Sequence, residues 1–370
     1  MRRDTVVRVG ILTYFWKSTN YGGILQSYAL CKTINDMDDN ISAEQICYDY
    51  DSSITKQFNI KEVIKRILSI FFKKYRYKTN KKKESTFLEF ITKYVPHSVN
   101  EYQCNNTCSL NNIYDYFITG SDQVWNPISM DSNFFLEFVN KGKRKISYAA
   151  SIGADDVDKE KLSNIVNKLK NYNAISVREE SAKEMLENEG IKNVKLMIDP
   201  VFLQNIEQWD NLIEDVITKS QEYIFVYILS GNNNIRKKIY DFAREKNLII
   251  MDFSPLQLLK DNCIDCSSYG PKEFVAYIKY CNFCCTDSFH CTAFSLMYER
   301  KFVVFSRENK KNITANGRLF TLLNYVGMNN RVIDESDDIN YYIDKEIKYD
   351  GKIIDNMRDE AIAFLKKMLS

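Results

Sequence analysis

Short apolar runs alternate with longer amphipathic ones along this chain. An apolar run at 6–14 ends in the polar turn Ser18-Thr19-Asn20-Tyr21-Gly22-Gly23, and 24–37 carries a helical pattern. Further strands are predicted at 46–50, 114–119, 145–150, 175–177 and 194–198, with helices at 159–170 and 179–189. A second series begins with a strand at 223–229, turns at Ser230-Gly231-Asn232, and continues with a helix at 235–245 and a strand at 248–253. A helix at 274–280 then leads into the apolar run 280–285, the polar turn Thr286-Asp287-Ser288-Phe289-His290-Cys291, a helix at 292–298 and a strand at 302–305. Helices follow from Gly317 and over 355–369. Strands alternating with helices at this spacing predict doubly wound parallel sheets. The expected architecture is α/β, with two Rossmann-like domains facing a cleft. The first takes in residues 1–203, the polar stretch 204–221 connects, the second covers 222–353, and a helix at 354–370 is placed to pack back on the first.

Composition narrows the partners. The 370 residues suit about two domains, and 45% hydrophobic content supplies sizeable cores. Lys and Arg number 51 against 49 Asp and Glu, which removes the whole-chain electrostatic case for a nucleic-acid binder. The opening Met-Arg-Arg-Asp-Thr-Val-Val lacks the apolar core of a signal peptide, and no run nears the 18 or so apolar residues of a membrane span. A cytoplasmic protein is expected. Its ten cysteines then read as thiols. Cys263-x2-Cys266 and Cys281-x2-Cys284 have the spacing of a four-thiolate zinc site. Thiols three apart on a strand point to opposite faces, so packed thiols without a metal are the plainer reading.

One segment stands apart in charge. Between Lys56 and Glu84 there are eleven Lys or Arg against two Glu, and Ile60, Val63, Ile64, Ile67, Leu68, Phe71, Phe72 and Tyr75 form one helical stripe. Such a helix either packs its stripe on the first domain or lies on an anionic membrane surface, at the inner face of the membrane. It lacks the aromatic ladder that would stack bases.

The turn at 286–291 holds one of only two histidines, at the carboxyl end of a predicted strand, where open α/β sheets bind ligands. His290 can hold an anion or move a proton, because imidazole titrates near neutrality and a helix N-terminus follows. Its plainer alternative is a histidine that caps that helix or is bonded in the domain interface. Asp287 either orients that imidazole or caps the helix, and Ser288 donates to an anion or caps. Arg178 ends a predicted strand, and its planar fork suits carboxylate or phosphate unless it merely pairs with Glu179 or Glu180. Asp122 follows a strand and a small-residue turn, which points it into the cleft. Trp125 either stacks on a sugar ring or packs in the core. Asn20, Gly22 and Gly23 offer donors at a helix N-terminus or form a plain turn, and no Gly-x-Gly-x-x-Gly is present. Arg318 starts a helix in the second domain and is either a reserve cation or a surface or interdomain ion pair. His97, beside Pro96, reads as an incidental loop residue.

The joint order of several motifs resembles the polysaccharide pyruvyl transferase family over nearly the whole chain. These are Asn20-Tyr21-Gly22-Gly23 with Gln26-Ser27-Tyr28-Ala29-Leu30, Gly120-Ser121-Asp122-Gln123-Val124-Trp125-Asn126-Pro127, and Ser147-Tyr148-Ala149-Ala150-Ser151-Ile152-Gly153. Ser176-Val177-Arg178-Glu179, Asp199-Pro200-Val201-Phe202, Tyr269-Gly270-Pro271 and the His290 turn complete the set. The resemblance implies a GT-B-like glycosyltransferase architecture and transfer of pyruvate from phosphoenolpyruvate to two hydroxyls of a sugar. The product is a cyclic ketal on a bacterial surface polysaccharide, capsule or exopolysaccharide, or on its lipid-linked precursor. It implies no cofactor beyond the donor itself. In it, His290 serves as acid or phosphate ligand, Asp122 as base, Arg178 as grip on carboxylate or phosphate, and Asp287 as a possible catalytic partner. Two positions depart from the pattern: Cys291 stands where Gly is expected, and Ser288 where some relatives carry Arg. A nucleotide-sugar glycosyltransferase and a non-catalytic glycan-binding relative are the competing readings.

Overall fold

A computed structural model describes residues 6–50, 73–218, 221–255, 262–306 and 317–370. The first apolar run forms β1 (Val7–Leu12), whose last four residues are buried, and the turn after it leads into α1 (Tyr21–Met37). Next come β2 (Ile41–Tyr48), α2 (Lys73–Tyr94), β3 (His97–Tyr102), β4 (Tyr116–Thr119) and β5 (Arg144–Ser147). These five strands run parallel in the order β3-β2-β1-β4-β5. After α3 (Lys159–Leu169), β6 (Ser176–Val177), α4 (Glu180–Asn188) and β7 (Lys195–Leu196) follow. The bridges Ile146↔Ala174 and Ala150↔Val177 join the β6–β7 pair to the edge of the sheet.

The polar stretch 204–221 contains a helix, α5 (Ile206–Ile213), started by an Asn205–Gln208 capping box and anchored by the fully buried Trp209. The second series is β8 (Tyr223–Tyr227), α6 (Asn233–Glu245), β9 (Ile249–Asp252), β10 (Cys263–Asp265), α7 (Pro271–Lys279), β11 (Phe283–Thr286), α8 (Phe289–Met297) and β12 (Phe302–Phe305). It ends with α9 (Gly317–Tyr325), β13 (Val332–Ile333), α10 (Asn340–Ile343) and α11 (Gly351–Leu369). The strands are parallel in the order β10-β9-β8-β11-β12-β13. All four residues of β11 and of β12 are buried, as befits strands covered by helices on both faces. Strand order reverses between β1 and β4 in one sheet and between β8 and β11 in the other. The crevices outside those carboxyl ends are where such sheets bind ligands.

The two halves share one apolar cluster. Tyr21 of α1 stacks on Phe274 of α7 with centroids 4.4 Å apart, and Trp209 meets Phe294 of α8 edge-on at 4.9 Å. The C-terminal helix α11 returns to the first half, where Arg358 Nε donates to the Phe202 carbonyl at 2.6 Å and Arg144 Nη1 donates to the Met368 carbonyl at 2.8 Å.

Of the basic stretch 56–84, residues 56–72 lie outside those described, and 73–84 belong to α2. That helix is tied down by its second half, where Phe87, Phe90 and Ile91 are buried. Among the described residues no helix is long and apolar enough to cross a membrane. His97 is not in a loop: it opens β3, donates from Nδ1 to the Val95 carbonyl at 2.7 Å, and stacks against Trp16. Cys284 and Cys285 lie on β11, and Cys284 Sγ is 3.4 Å from Cys291 Sγ in α8. Among the described residues no three His, Cys, Asp or Glu gather as a metal site.

Candidate active site

The start of α1 is fixed by its cap. Asn20 Oδ1 accepts from the backbone N–H of Gly22 at 3.0 Å and of Gly23 at 3.4 Å. These are the donors expected to face a ligand, so the structure corrects that role: the side chain of Asn20 already uses them. The two glycines matter for the space they leave. A Cβ on Gly22 would sit 1.9 Å from His290 Nδ1, and one on Gly23 would sit 2.8 Å from the Tyr14 carbonyl and 3.6 Å from Asp122 Oδ2. Gly22→Ala is therefore expected to displace the packed imidazole and to lower turnover at least tenfold, with a small change in melting temperature; wild-type turnover in that variant would show that the contact is dispensable.

His290 belongs to α8 itself. The helix starts at Phe289, three residues before the predicted start, so His290 lies in its first turn rather than ahead of it. Nε2 lies 3.3 Å from Asp199 Oδ2, a charge contact, but outside N–H···O alignment, and it has no hydrogen-bond partner among the described residues. Asp199 is the centre of the cluster. Its Oδ2 accepts from Ser121 Oγ at 3.0 Å and pairs with Arg178 Nη1, while Oδ1 accepts from the Val201 N–H at 3.1 Å. Burial alone would push its carboxyl up; the charges of His290 and Arg178 outweigh that and hold it well below the usual carboxylate range. Burial likewise opposes the charged form of Arg178, but Asp199, Asp122 and Glu179 hold its guanidinium firmly protonated.

Arg178 is thus no surface ion pair with Glu179 or Glu180. It is buried, lies over the Phe289 ring at 4.8 Å, and donates to Ser121 Oγ at 3.1 Å. Its Nε and Nη2 have no hydrogen-bond partner among the described residues. Glu179 turns elsewhere and accepts from Ser151 Oγ at 2.8 Å and the Gly153 N–H at 2.9 Å.

Asp122 adjoins this cluster. It takes a left-handed backbone, φ 78, uncommon for a residue with a side chain and often found where a site holds its geometry. Its Oδ1 accepts from the Gln123 N–H at 2.9 Å and is 3.9 Å from Arg318 Nη1. With the Gln123 amide oxygen turned inward, it accepts from Arg318 Nη1 at 3.1 Å and Nη2 at 2.9 Å. Arg318 therefore reaches from α9 of the second half to a residue pair of the first. The two groups form one site. Successive residues Gly22 and Gly23 face His290 and Asp122, and successive residues Ser121 and Asp122 face Asp199 and Arg318.

Three candidates take other roles. Asp287 does not serve as the carboxylate on the imidazole: its oxygens accept from the Leu229 N–H at 2.8 Å and the Ser230 N–H at 2.7 Å, which fixes the loop after β8. Ser288 occupies the N-cap position of α8, makes no side-chain cap bond, and is nearly buried. Trp125 is fully buried, donates weakly to the Phe134 carbonyl at 3.4 Å and stacks on Phe135, so it has no face for a sugar. The sequence pattern does not single out Asp199, Ser121, Gln123 or Glu179. Each stands inside or beside a motif already noted, and that adjacency is the signal that finds them.

The model of a family described as polysaccharide pyruvyl transferase matches residues 20–309. A comparison with curated proteins found no match. Among solved structures, UDP-GlcNAc 2-epimerase from Methanocaldococcus jannaschii, in complex with UDP-GlcNAc and UDP, superposes with a TM-score of 0.57 at 12% identity, covering 98% of this chain and 99% of that one. UDP-GlcNAc 2-epimerase from Neisseria meningitidis, bound to UDP-GlcNAc, gives 0.51 at 10% identity, covering 98% and 99%. At such identities the likeness concerns the fold, which is the GT-B arrangement of two parallel-sheet α/β units. Because that family model spans most of the chain, the chain belongs to the polysaccharide pyruvyl transferase family.

Proposed function

We propose that this chain moves the pyruvyl group of phosphoenolpyruvate onto two hydroxyls of a sugar, within a surface polysaccharide or its lipid-linked precursor, and closes a cyclic ketal. The observation that supports this best is a set of three unspent buried polar atoms, Arg178 Nε and Nη2 and His290 Nε2, gathered around Asp199. Buried donors without partners call for a ligand, and a compact dianion or trianion fits them.

In this reading His290 delivers a proton to the donor methylene, leaving an oxocarbenium-like carbon beside the carboxylate. A sugar hydroxyl attacks that carbon while Asp122 takes its proton. The carbon–phosphate ester bond then breaks, the second hydroxyl takes its place, and phosphate departs with the remaining proton. Arg178 holds the anion, and Asp199 holds Arg178 and the imidazole in place. General acid–base assistance of this kind contributes about 10²–10⁴-fold. Donor and acceptor are the only small molecules required. The basic segment 56–84 is suited to keep the protein at the inner membrane face, where a lipid-linked acceptor would be presented.

Incubation with phosphoenolpyruvate and candidate lipid-linked saccharides, followed by mass spectrometry, is expected to show the gain of one pyruvate ketal. Thermal-shift titration should show stabilisation by phosphoenolpyruvate and not by nucleotide sugars. The reverse pattern would sink the reading in favour of a glycosyltransferase.

A further inference from the structure

One lysine outside the cluster described above is not used by the mechanism. Lys83, in α2, is flanked by the exposed Lys81, Lys82 and Glu84, yet is itself partly buried. Its Nζ lies 4.6 Å from the centroid of the Tyr21 ring and 5.3 Å from that of Phe87. Among the described residues it makes no ion pair and no hydrogen bond. Burial pulls its ammonium down to about 8, and among the described residues no carboxylate offsets that.

Its position ties it to the site. Tyr21 is the first residue of α1, immediately before the glycine that abuts His290. The Tyr21 ring packs on Tyr227, the last residue of β8, and on Phe253 just after β9. Through the Tyr21 ring, Lys83 is linked to the carboxyl ends of β8 and β9, and β8 borders the point where strand order reverses. At that point Ser230 Oγ is buried without a partner among the described residues, in the loop that Asp287 fastens. An ammonium taken out of water costs free energy that an aromatic face only partly offsets. Packing α2 onto Tyr21 would be served as well by an apolar side chain of the same length.

We propose that Lys83 is an oxyanion-binding residue of this site, contacting the phosphate or the carboxylate of the donor from the first half of the molecule. This rests on the donor assignment made above. A dianionic group beside Lys83 supplies the counter-charge that no described residue provides.

The test uses the full chain, with binding followed by calorimetry for phosphoenolpyruvate, inorganic phosphate and pyruvate. Lys83→Met is expected to raise the Kd for phosphoenolpyruvate at least tenfold, while the melting temperature without ligand stays level or rises. Lys83→Arg should restore affinity to within a few-fold. Weakened binding of inorganic phosphate but not of pyruvate assigns the contact to phosphate, and the converse assigns it to the carboxylate. Should Lys83→Met fail to fold, Lys83→Gln removes the charge while keeping a polar end. Wild-type affinity for all three ligands in the charge-free variant overturns the proposal, as does a wild type that binds none of them. If the wild type binds inorganic phosphate through Lys83 but ignores phosphoenolpyruvate, the lysine assignment stands and the donor assignment falls.

Discussion

Replacing His290 by Ala is expected to cut phosphate release from phosphoenolpyruvate by about 10²–10⁴-fold, the usual size of a general-acid contribution. The fold should survive. The imidazole touches Phe289 edge-on with centroids 5.2 Å apart, and its loss leaves the Arg178–Asp199 pair intact. A steady-state phosphate assay beside a thermal melt checks both statements. His290→Gln sharpens the test, because it keeps volume and hydrogen-bonding capacity but removes the titrating ring. Turnover near wild type in His290→Gln would leave the histidine a packing role only.

The second large effect concerns Asp199. In Asp199→Asn the buried Arg178 guanidinium loses its counter-charge, and breaking a buried pair from one side costs about 3–5 kcal/mol. Urea unfolding should show that loss at neutral pH, and turnover should fall with it as the imidazole and guanidinium lose their shared anchor. Its pH dependence has a definite sign. The Asp199 carboxyl in the folded chain is depressed below its unfolded value, which lies near 3.9. Between the two values the unfolded chain binds more protons, so stability rises with pH there. The contribution is complete above about pH 4, by the same unfolded reference value, and is lost as pH falls through the folded one. The stability gap between wild type and Asp199→Asn should therefore narrow below about pH 4. A gap that stays constant down to pH 2 or so would mean that the carboxylate is not held in its ionised form.

Some of the site is legible in the sequence because its signals are local. The strand–turn–helix–strand order around His290 follows from 280–285 and 302–305, whose uninterrupted apolar runs mark strands covered on both faces. Arg178 and Asp122 follow from their places after predicted strands. Other elements hide for physical reasons. β3 buries only two of its six residues because it lies at the sheet edge, so it carries no hydrophobic run. β10 and β13 are three and two residues long, too short for any period to show. Trp125 reads equally well as a sugar platform or a core residue, and only its complete burial decides between them.

Partners across the chain are the part that no local pattern holds. Asp287 is three residues from His290, yet it bonds the loop after β8, while the carboxylate beside the imidazole is Asp199, 91 positions away in the chain. By itself the sequence determined the α/β class, the two alternating series, the family and the strand end that carries His290, because periodicity and motif order act over a few residues at a time. Tertiary structure alone decided that Gly22 makes room for His290, that Asp199 rather than Asp287 faces it, and that Lys83 packs over the Tyr21 ring. Those choices depend on which elements pack side by side, and packing is settled by burial across the whole chain rather than by any neighbouring stretch.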